Sequence, residues 1–281
     1  YVAPSQNFIF ATHGDKAHRF GYQMPGRIPQ RVPGHTGAVP VPGNGDYDWV
    51  SIIPYDDLPR TVNPSRGYVV TANNRITPEN YKYNITVDWD AGSTGYRAAR
   101  ITELVEAGGS GPHGKFTVAD MQRIQTDYGS YLMKVLLPFA MNVSDSLLSA
   151  NGIAARDAMK AQLVDAAQPF NASIGSNATT VFETFYKELC KLGGPETNSS
   201  YWTNGGFLVA ALSSDDSPSG TDHACRHGGH HSCREFTAAA LDRAGELMAD
   251  GKSPALWGEE THLATFKHQI LSKTPLACLA D

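Results

Sequence analysis

The densest cluster of reactive side chains is His223, Cys225, His227, His230, His231 and Cys233. Imidazoles and thiolates hold zinc, but zinc sites combine Cys-x2–4-Cys and His-x3–5-His spacings. The spacings here give neither a Cys-x2–4-Cys nor a His-x3–5-His paired with one, so a disulfide with loop histidines is the plainer reading. A second group is Trp257-Gly-Glu-Glu-Thr-His262, followed by His268. It sets paired carboxylates beside imidazoles, but not in the His-Glu-x-x-His order of a zincin; a structured surface segment accounts for it. A third feature is Asn73-Asn74, directly after the run Gly67–Ala72. Side-chain N–H donors fixed at a strand end stabilise a developing oxyanion. Asparagine also bends chains through Asx turns, and the residues alone favour the turn. There is no Gly-x-Ser-x-Gly elbow, no Walker loop, and no Gly-x-Gly-x-x-Gly after a strand.

The elements that must carry these groups change character near residue 105. Before it, Asn7–Thr12 reads as a buried strand, His13–Lys16 as a turn, and Arg19–Tyr22 as a hairpin partner. Residues 24–45 are rich in proline and glycine and read as a long ordered loop or a string of turns. Gly67–Ala72 reads as another strand. After residue 115 the pattern is helical. Thr117-Val-Ala-Asp120 resembles a capping box. Met121, Ile124, Tyr128, Leu132, Val135, Leu136 and Phe139 recur at helical spacing on one face, with Pro138 expected to end or kink the helix. Further helices are expected near 153–167, over Val181–Leu189 with a stop at Gly193-Gly194, and from a Ser232 cap through Met248. The expected organisation is a β-rich part over 1–104 and a predominantly helical part over 105–281, an α+β chain.

The 281 residues carry 23 basic and 28 acidic side chains, a formal net charge of −5. No basic stripe suits nucleic acid, and no window has the length and apolarity of a membrane span. Asn84, Asn142, Asn171, Asn177 and Asn198 each head an Asn-x-Ser/Thr sequon. Five sequons exceed the roughly two expected by chance from ordinary composition. They point to a secreted or otherwise extracytoplasmic glycoprotein, where disulfides persist. Cys225 and Cys233 are placed to bridge locally, leaving Cys190 and Cys278, yet four cysteines allow three connectivities and spacing does not choose. Tyr1 opens the chain with no signal peptide before it, so the sequence reads as a processed piece or a fragment.

A set of motifs in one order then carries a resemblance. Gly21-Tyr-Gln-Met-Pro-Gly-Arg27, Val39-Pro-Val-Pro-Gly43, Tyr47-Asp-Trp49, Ile53–Pro59 and Val62-Asn-Pro64 begin it. Gly67-Tyr-Val-Val-Thr-Ala-Asn73-Asn74-Arg75 and Tyr96-Arg97-Ala-Ala-Arg-Ile101 continue it. Phe116–Gln125 and the later Trp257-Gly, His262, Phe266 and His268 complete it. Together they resemble the β chain of the penicillin acylase family of N-terminal-nucleophile hydrolases. The similarity is dense over 1–140 and sparse over 142–232.

The resemblance implies part of a four-layer αββα sandwich with an appended helical region. It implies a zymogen that cleaves itself into α and β chains, and hydrolysis of a linear amide through an acyl-enzyme on an N-terminal serine. An α-amino group has a pKa of about 7.7–8.0, so it is partly neutral at pH 7 and can act as base to its own hydroxyl. The family's side-chain oxyanion donor falls on Asn73 and its active-site arginine on Arg97, leaving Asn74 as a structural neighbour and Arg100 as a surface or ion-pair residue. Tyr1 does not match the nucleophile, which is expected outside this chain, as are the α chain and the remaining β-chain segments. No cofactor is required; calcium, which some members bind, lacks a clear Asp ligand in Asn80–Asn84. The expected substrate is an amide with an acyl side chain: aryl-acetyl, fatty acyl from a lactone signal, or a lipopeptide tail. The alternative is a non-catalytic glycosylated pseudoenzyme or binding protein of the same fold.

Overall fold

The computed structural model describes residues 6–14, 18–35, 37, 39–78, 80–83, 85, 95–160, 163, 170–173, 175–193, 205–213, 225 and 229–252. The chain divides into two compact units, Tyr1–Asp127 with Thr203–Gly206, and Tyr128–Trp202 with Phe207–Asp281.

In the first unit, β1 (Phe8–Thr12) and β2 (Arg19–Gln23) pair antiparallel, with Phe8 opposite Gln23 and Thr12 opposite Arg19. This is the expected hairpin. β2 also pairs with β5 (Arg60–Val62), Gly21 lying opposite Val62. A methyl group at Gly21 would overlap the Thr61 carbonyl, so glycine permits this approach. β3 (Pro29–Gln30) and β4 (Ser51–Ile52) form a second, two-stranded sheet. Met24, Ile28, Ile53, Leu58 and Ile85 make a small core, with Ile76, Tyr81 and Tyr83 packed against it.

Two strand expectations need correction. β1 forms but is not buried: Phe8 is 60% and Ile9 54% exposed. It is the edge of the order β1-β2-β5, and its apolar side chains are not covered by the described residues. Residues 67–72 belong to no strand, because they pair with no ladder among the described residues. Side chains anchor the segment instead. The Tyr68 hydroxyl donates to Glu106 Oε1 at 2.5 Å, and the Arg66 guanidinium stacks on the Tyr68 ring at 4.9 Å.

Helix starts before residue 105. α1 spans Tyr96–Glu106 and buries Ala98 and Leu104. α2 (Val118–Gln125) opens on the expected capping box, Thr117 accepting from the Asp120 backbone N–H and Asp120 accepting from that of Thr117. The Asp120 carboxylate also accepts both the backbone N–H and the hydroxyl of Ser110 at 2.9 Å, which ties the 108–117 turn to the helix.

The single helix expected from Met121 to Phe139 is two. α3 (Tyr131–Met141) begins afresh on a Ser130 cap. Between the helices, Ser130 N–H donates to the Phe170 carbonyl at 2.8 Å, and Ala172 N–H donates to the Tyr128 carbonyl at 3.1 Å. Backbone groups spent on this distant bridge are unavailable to an i→i−4 ladder. Met121 and Tyr128 are accordingly exposed. α3 also runs three residues past Pro138, held by the fully buried Leu136, Leu137 and Ala140. The missing proline N–H removes one helical bond without ending the packed helix.

The second unit is a helical core. α4 (Ala150–Met159), α5 (Asn177–Leu192), α6 (Gly205–Leu212) and α7 (Cys233–Ala249) join α3 around Phe182, Phe185, Phe236, Met133 and Leu241. Ser149, Ser176 and Ser232 cap their helices through the side chain. α4 and α7 approach closely at two glycines. A methyl group at Gly152 would overlap the Asp242 carboxylate, and one at Gly245 the Asn151 carbonyl. Asp242 then accepts from Ser149 N–H at 2.9 Å and Ser149 Oγ at 2.7 Å. Cys225 and Cys233 form a disulfide. Cys278 lies outside the described residues.

Two outcomes follow from this packing. Gly245→Ala overfills the α4–α7 contact and lowers stability by about 1–3 kcal/mol, read from urea unfolding. The Asp120 carboxyl is held well below the usual carboxylate range, chiefly by the Thr117 and then the Ser110 backbone N–H groups. A lowered folded pKa gives stability that is complete above the unfolded value of about 3.9 and is lost as pH falls through the folded value. Urea midpoints measured downward from about pH 5 therefore fall less steeply for Asp120→Asn than for the wild type.

Candidate active site

Thr71, Ala72 and Asn73 form one wall of a cavity of about 380 Å³, which Gln6, Asn7, Arg97 and Ile101 complete. The turn that shapes this wall is made by Asn74. Its Oδ1 accepts from Ala72 N–H at 3.0 Å, and its Nδ2 donates to the Arg75 carbonyl at 2.9 Å. Asn73 is left in the left-handed region, at φ 60°. Asparagine tolerates that conformation better than most residues.

Arg97 arrives on the first turn of α1, whose N-cap is Gly95 at φ 70°. Its Nη2 donates to Asn73 Oδ1 at 2.6 Å. The bond decides which way the carboxamide faces: with Oδ1 held by the guanidinium, Nδ2 points away from it as a donor. The positive charge on Arg97 also polarises the amide, which makes those N–H groups better donors. Asn73 and Arg97 are both exposed side chains.

Arg100, one turn further on, does something different. It forks onto Asp127 through Nε at 2.8 Å and Nη2 at 2.7 Å, and reaches Glu103 at 3.3 Å. The hydrogen bonds to Asp127 push the guanidinium pKa up. It is an ion-pair residue that ties α1 to the chain beyond α2.

The lining offers one hydroxyl, Thr71, and neither imidazole nor amine to activate it. The wall can therefore stabilise negative charge on a carbonyl oxygen but carries no activated nucleophile. The residues read from sequence as donor and arginine are brought together. Sequence reasoning does not single out Gln6, Asn7, Thr71 and Ile101 as lining; Thr71 and Ile101 fall within the quoted motifs, and Gln6 and Asn7 precede them.

The other candidate groups fall away from this cavity. Cys225 and Cys233 spend their sulfurs on each other, and the His230 ring packs edge-on against Phe236 at 5.8 Å. Those thiols are not zinc ligands. His223, His227 and residues 257–268 lie outside the described residues. Near Asn80–Asn84, the Tyr81 hydroxyl donates to the Asp57 carbonyl, and Tyr83 and Lys82 hold the Asp57 carboxylate at 2.8 and 2.9 Å. A phenol and an ammonium already committed to that carboxylate do not fit a calcium ion.

The penicillin amidase family model matches residues 1–279, and the chain belongs to that family. It is 31% identical over 240 residues to an acyl-homoserine lactone acylase, QuiP, of Pseudomonas fluorescens (strain Pf0-1), covering 75% of this chain and 27% of that protein. It is 35% identical over 115 residues to the penicillin acylase 2 proenzyme of Pseudomonas sp. (strain SE83), covering 41% of this chain and 14% of that one. The chain thus spans about a quarter or less of these relatives' length. A solved thermostable penicillin G acylase from Alcaligenes faecalis matches with a TM-score of 0.65 at 20% identity, over 92% of this chain and 48% of that one. The α+β fold class is that of this acylase.

Gly95 is the point at which backbone conformation controls Arg97. Gly95→Ala forces a methyl into a left-handed residue and costs about 1–2 kcal/mol. Urea unfolding of that variant should show the loss.

Proposed function

We propose that the complete protein is an amidohydrolase that cleaves a linear, non-peptide amide through an acyl-enzyme on an N-terminal serine supplied outside this chain. The observation that carries the reading is the Arg97–Asn73 hydrogen bond of 2.6 Å beside an open cavity. It produces an oriented neutral donor, as an oxyanion site requires. In this mechanism the serine hydroxyl attacks the amide carbonyl while its own α-amino group takes the proton. The carbonyl oxygen becomes negative, and Asn73 Nδ2 donates to it. The C–N bond then breaks, the proton passes to the leaving amine, and water releases the acid from the ester. No step calls for a cofactor, and calcium, where bound, is assigned to segments other than Asn80–Asn84.

The substrate class is an N-acyl amide. The two relatives are named for penicillin and for acyl-homoserine lactone, both acyl groups on an amine nitrogen. One relative is named a proenzyme, which supports self-processing into chains and with it a missing α chain and further β-chain segments as partners. An extracytoplasmic location is supported by the disulfide and by the exposed asparagines Asn142 and Asn177 that head two sequons. No helix among the described residues is long and apolar enough to cross a membrane.

The test is Asn73→Ala in the complete enzyme. Loss of one oxyanion donor lowers kcat by about 10²–10³. Turnover close to wild type would overturn the assignment and favour a non-catalytic protein of the same fold.

A further inference from the structure

One pair of histidines stands apart from both the cavity and the disulfide. β1 and β2 pair with Thr12 opposite Arg19. Continued by one residue, that register sets His13 opposite His18. Residues opposite each other on antiparallel strands share a face, with Cβ atoms about 4.5–5.5 Å apart. A side chain ties the hairpin just before this position: Thr12 Oγ1 accepts from Arg19 N–H at 3.1 Å and donates to the Arg19 carbonyl at 3.2 Å. The two imidazoles are exposed, with ring centroids 5.3 Å apart and planes inclined by 62°. His35 and His230 rest instead against Tyr47 and Phe236.

Spacing and separation both suit a metal ion. His13-x4-His18 falls within the His-x3–5-His spacing of zinc ligands. A Zn–N bond of about 2.05 Å puts the ion about 3.2 Å from each ring centroid. A tetrahedral angle at the ion then sets the centroids about 5.2 Å apart, and the right angle of a square-planar ion about 4.5 Å. The observed 5.3 Å is close to the tetrahedral value. Among the described residues no group of three or more His, Cys, Asp or Glu side chains converges, so solvent fills the remaining positions.

We propose that His13 and His18 bind a tetrahedral divalent ion of the zinc class and so clamp the loop end of the β1–β2 hairpin. Each neutral ring gives one nitrogen lone pair, and the ion joins the two strands beyond their last ladder pair. β1 is paired on one side only among the described residues, so it gains from a second tie. The clamp sits at the other end of β1 from Asn7, which lines the cavity. It acts on the strand and not on the reacting amide. An ion held by the folded hairpin and not by the unfolded chain stabilises the hairpin by mass action.

The experiment titrates zinc into the metal-stripped complete protein by calorimetry, comparing wild type with His13→Gln and His18→Gln. Both side chains are exposed, so neither change disturbs the core. Replacing a partner that merely orients a ligand weakens metal binding by about 10–100-fold, and loss of a ligand costs at least that. Each variant should therefore lose the same zinc equivalent, and the double variant no more than either single one. Sites built from other histidines remain in all of these proteins. Zinc should also slow amide hydrogen exchange over residues 8–23 in the wild type and in neither variant. Equal zinc binding by wild type and variants would overturn the proposal, as would loss in only one of the two. Binding that leaves the exchange of the hairpin unchanged would overturn the clamp.

Discussion

The site depends on one charge-assisted hydrogen bond, from Arg97 Nη2 to Asn73 Oδ1. Between exposed side chains it contributes little to stability, because water competes for both partners. Its consequence is directional. An asparagine amide is nearly symmetric in shape, and only its partners decide which end faces a ligand. The surrounding structure makes that decision reproducible. Asn74 spends both ends of its own amide on the turn, Gly95 sets the helix start, and Tyr68 and Arg100 tie the 66–75 segment and α1 into the unit. The left-handed backbone of Asn73 is the local strain that this framework sustains.

The second unit is organised by a different constraint, close packing of helices through small residues. Gly152 and Gly245 let α4 and α7 meet at backbone distance, and Asp242 closes the contact onto the Ser149 cap. Fully buried Phe182, Phe185 and Phe236 fill the remaining space. Truncating any one of these three rings costs about 3–5 kcal/mol.

What could be read from sequence divides along the same physical line. Thr117 and Ser232 caps were legible because capping is local, a side chain meeting a backbone group three residues on. The break at 126–130 was not, because residues 170–172 impose it from forty residues away. α1 escaped notice because it starts on glycine in place of a polar cap. The burial of β1 was overread from its apolar run, since apolarity states what a strand tolerates rather than what covers it. At Asn73-Asn74 the turn and the donor looked like rivals. They are neighbours: Asn74 makes the turn and Asn73 is presented by it.

If the proposed amide hydrolysis is what this site performs, the reason for an asparagine between Arg97 and a substrate follows from what the reaction releases. A bare guanidinium would hold the product carboxylate in a bidentate fork, the strongest pairing available to it. Such a site would bind product at least as well as the transition state, and binding both equally adds nothing to turnover. Interposing a carboxamide occupies a guanidinium nitrogen with Oδ1 and passes on its polarisation without its charge. A single directional donor suits one oxygen that gains charge at a fixed point. It suits a flat carboxylate, with charge spread over two oxygens, less well. On the proposed mechanism, the relay through Asn73 would trade gross affinity for discrimination between the oxyanion and the acid that leaves.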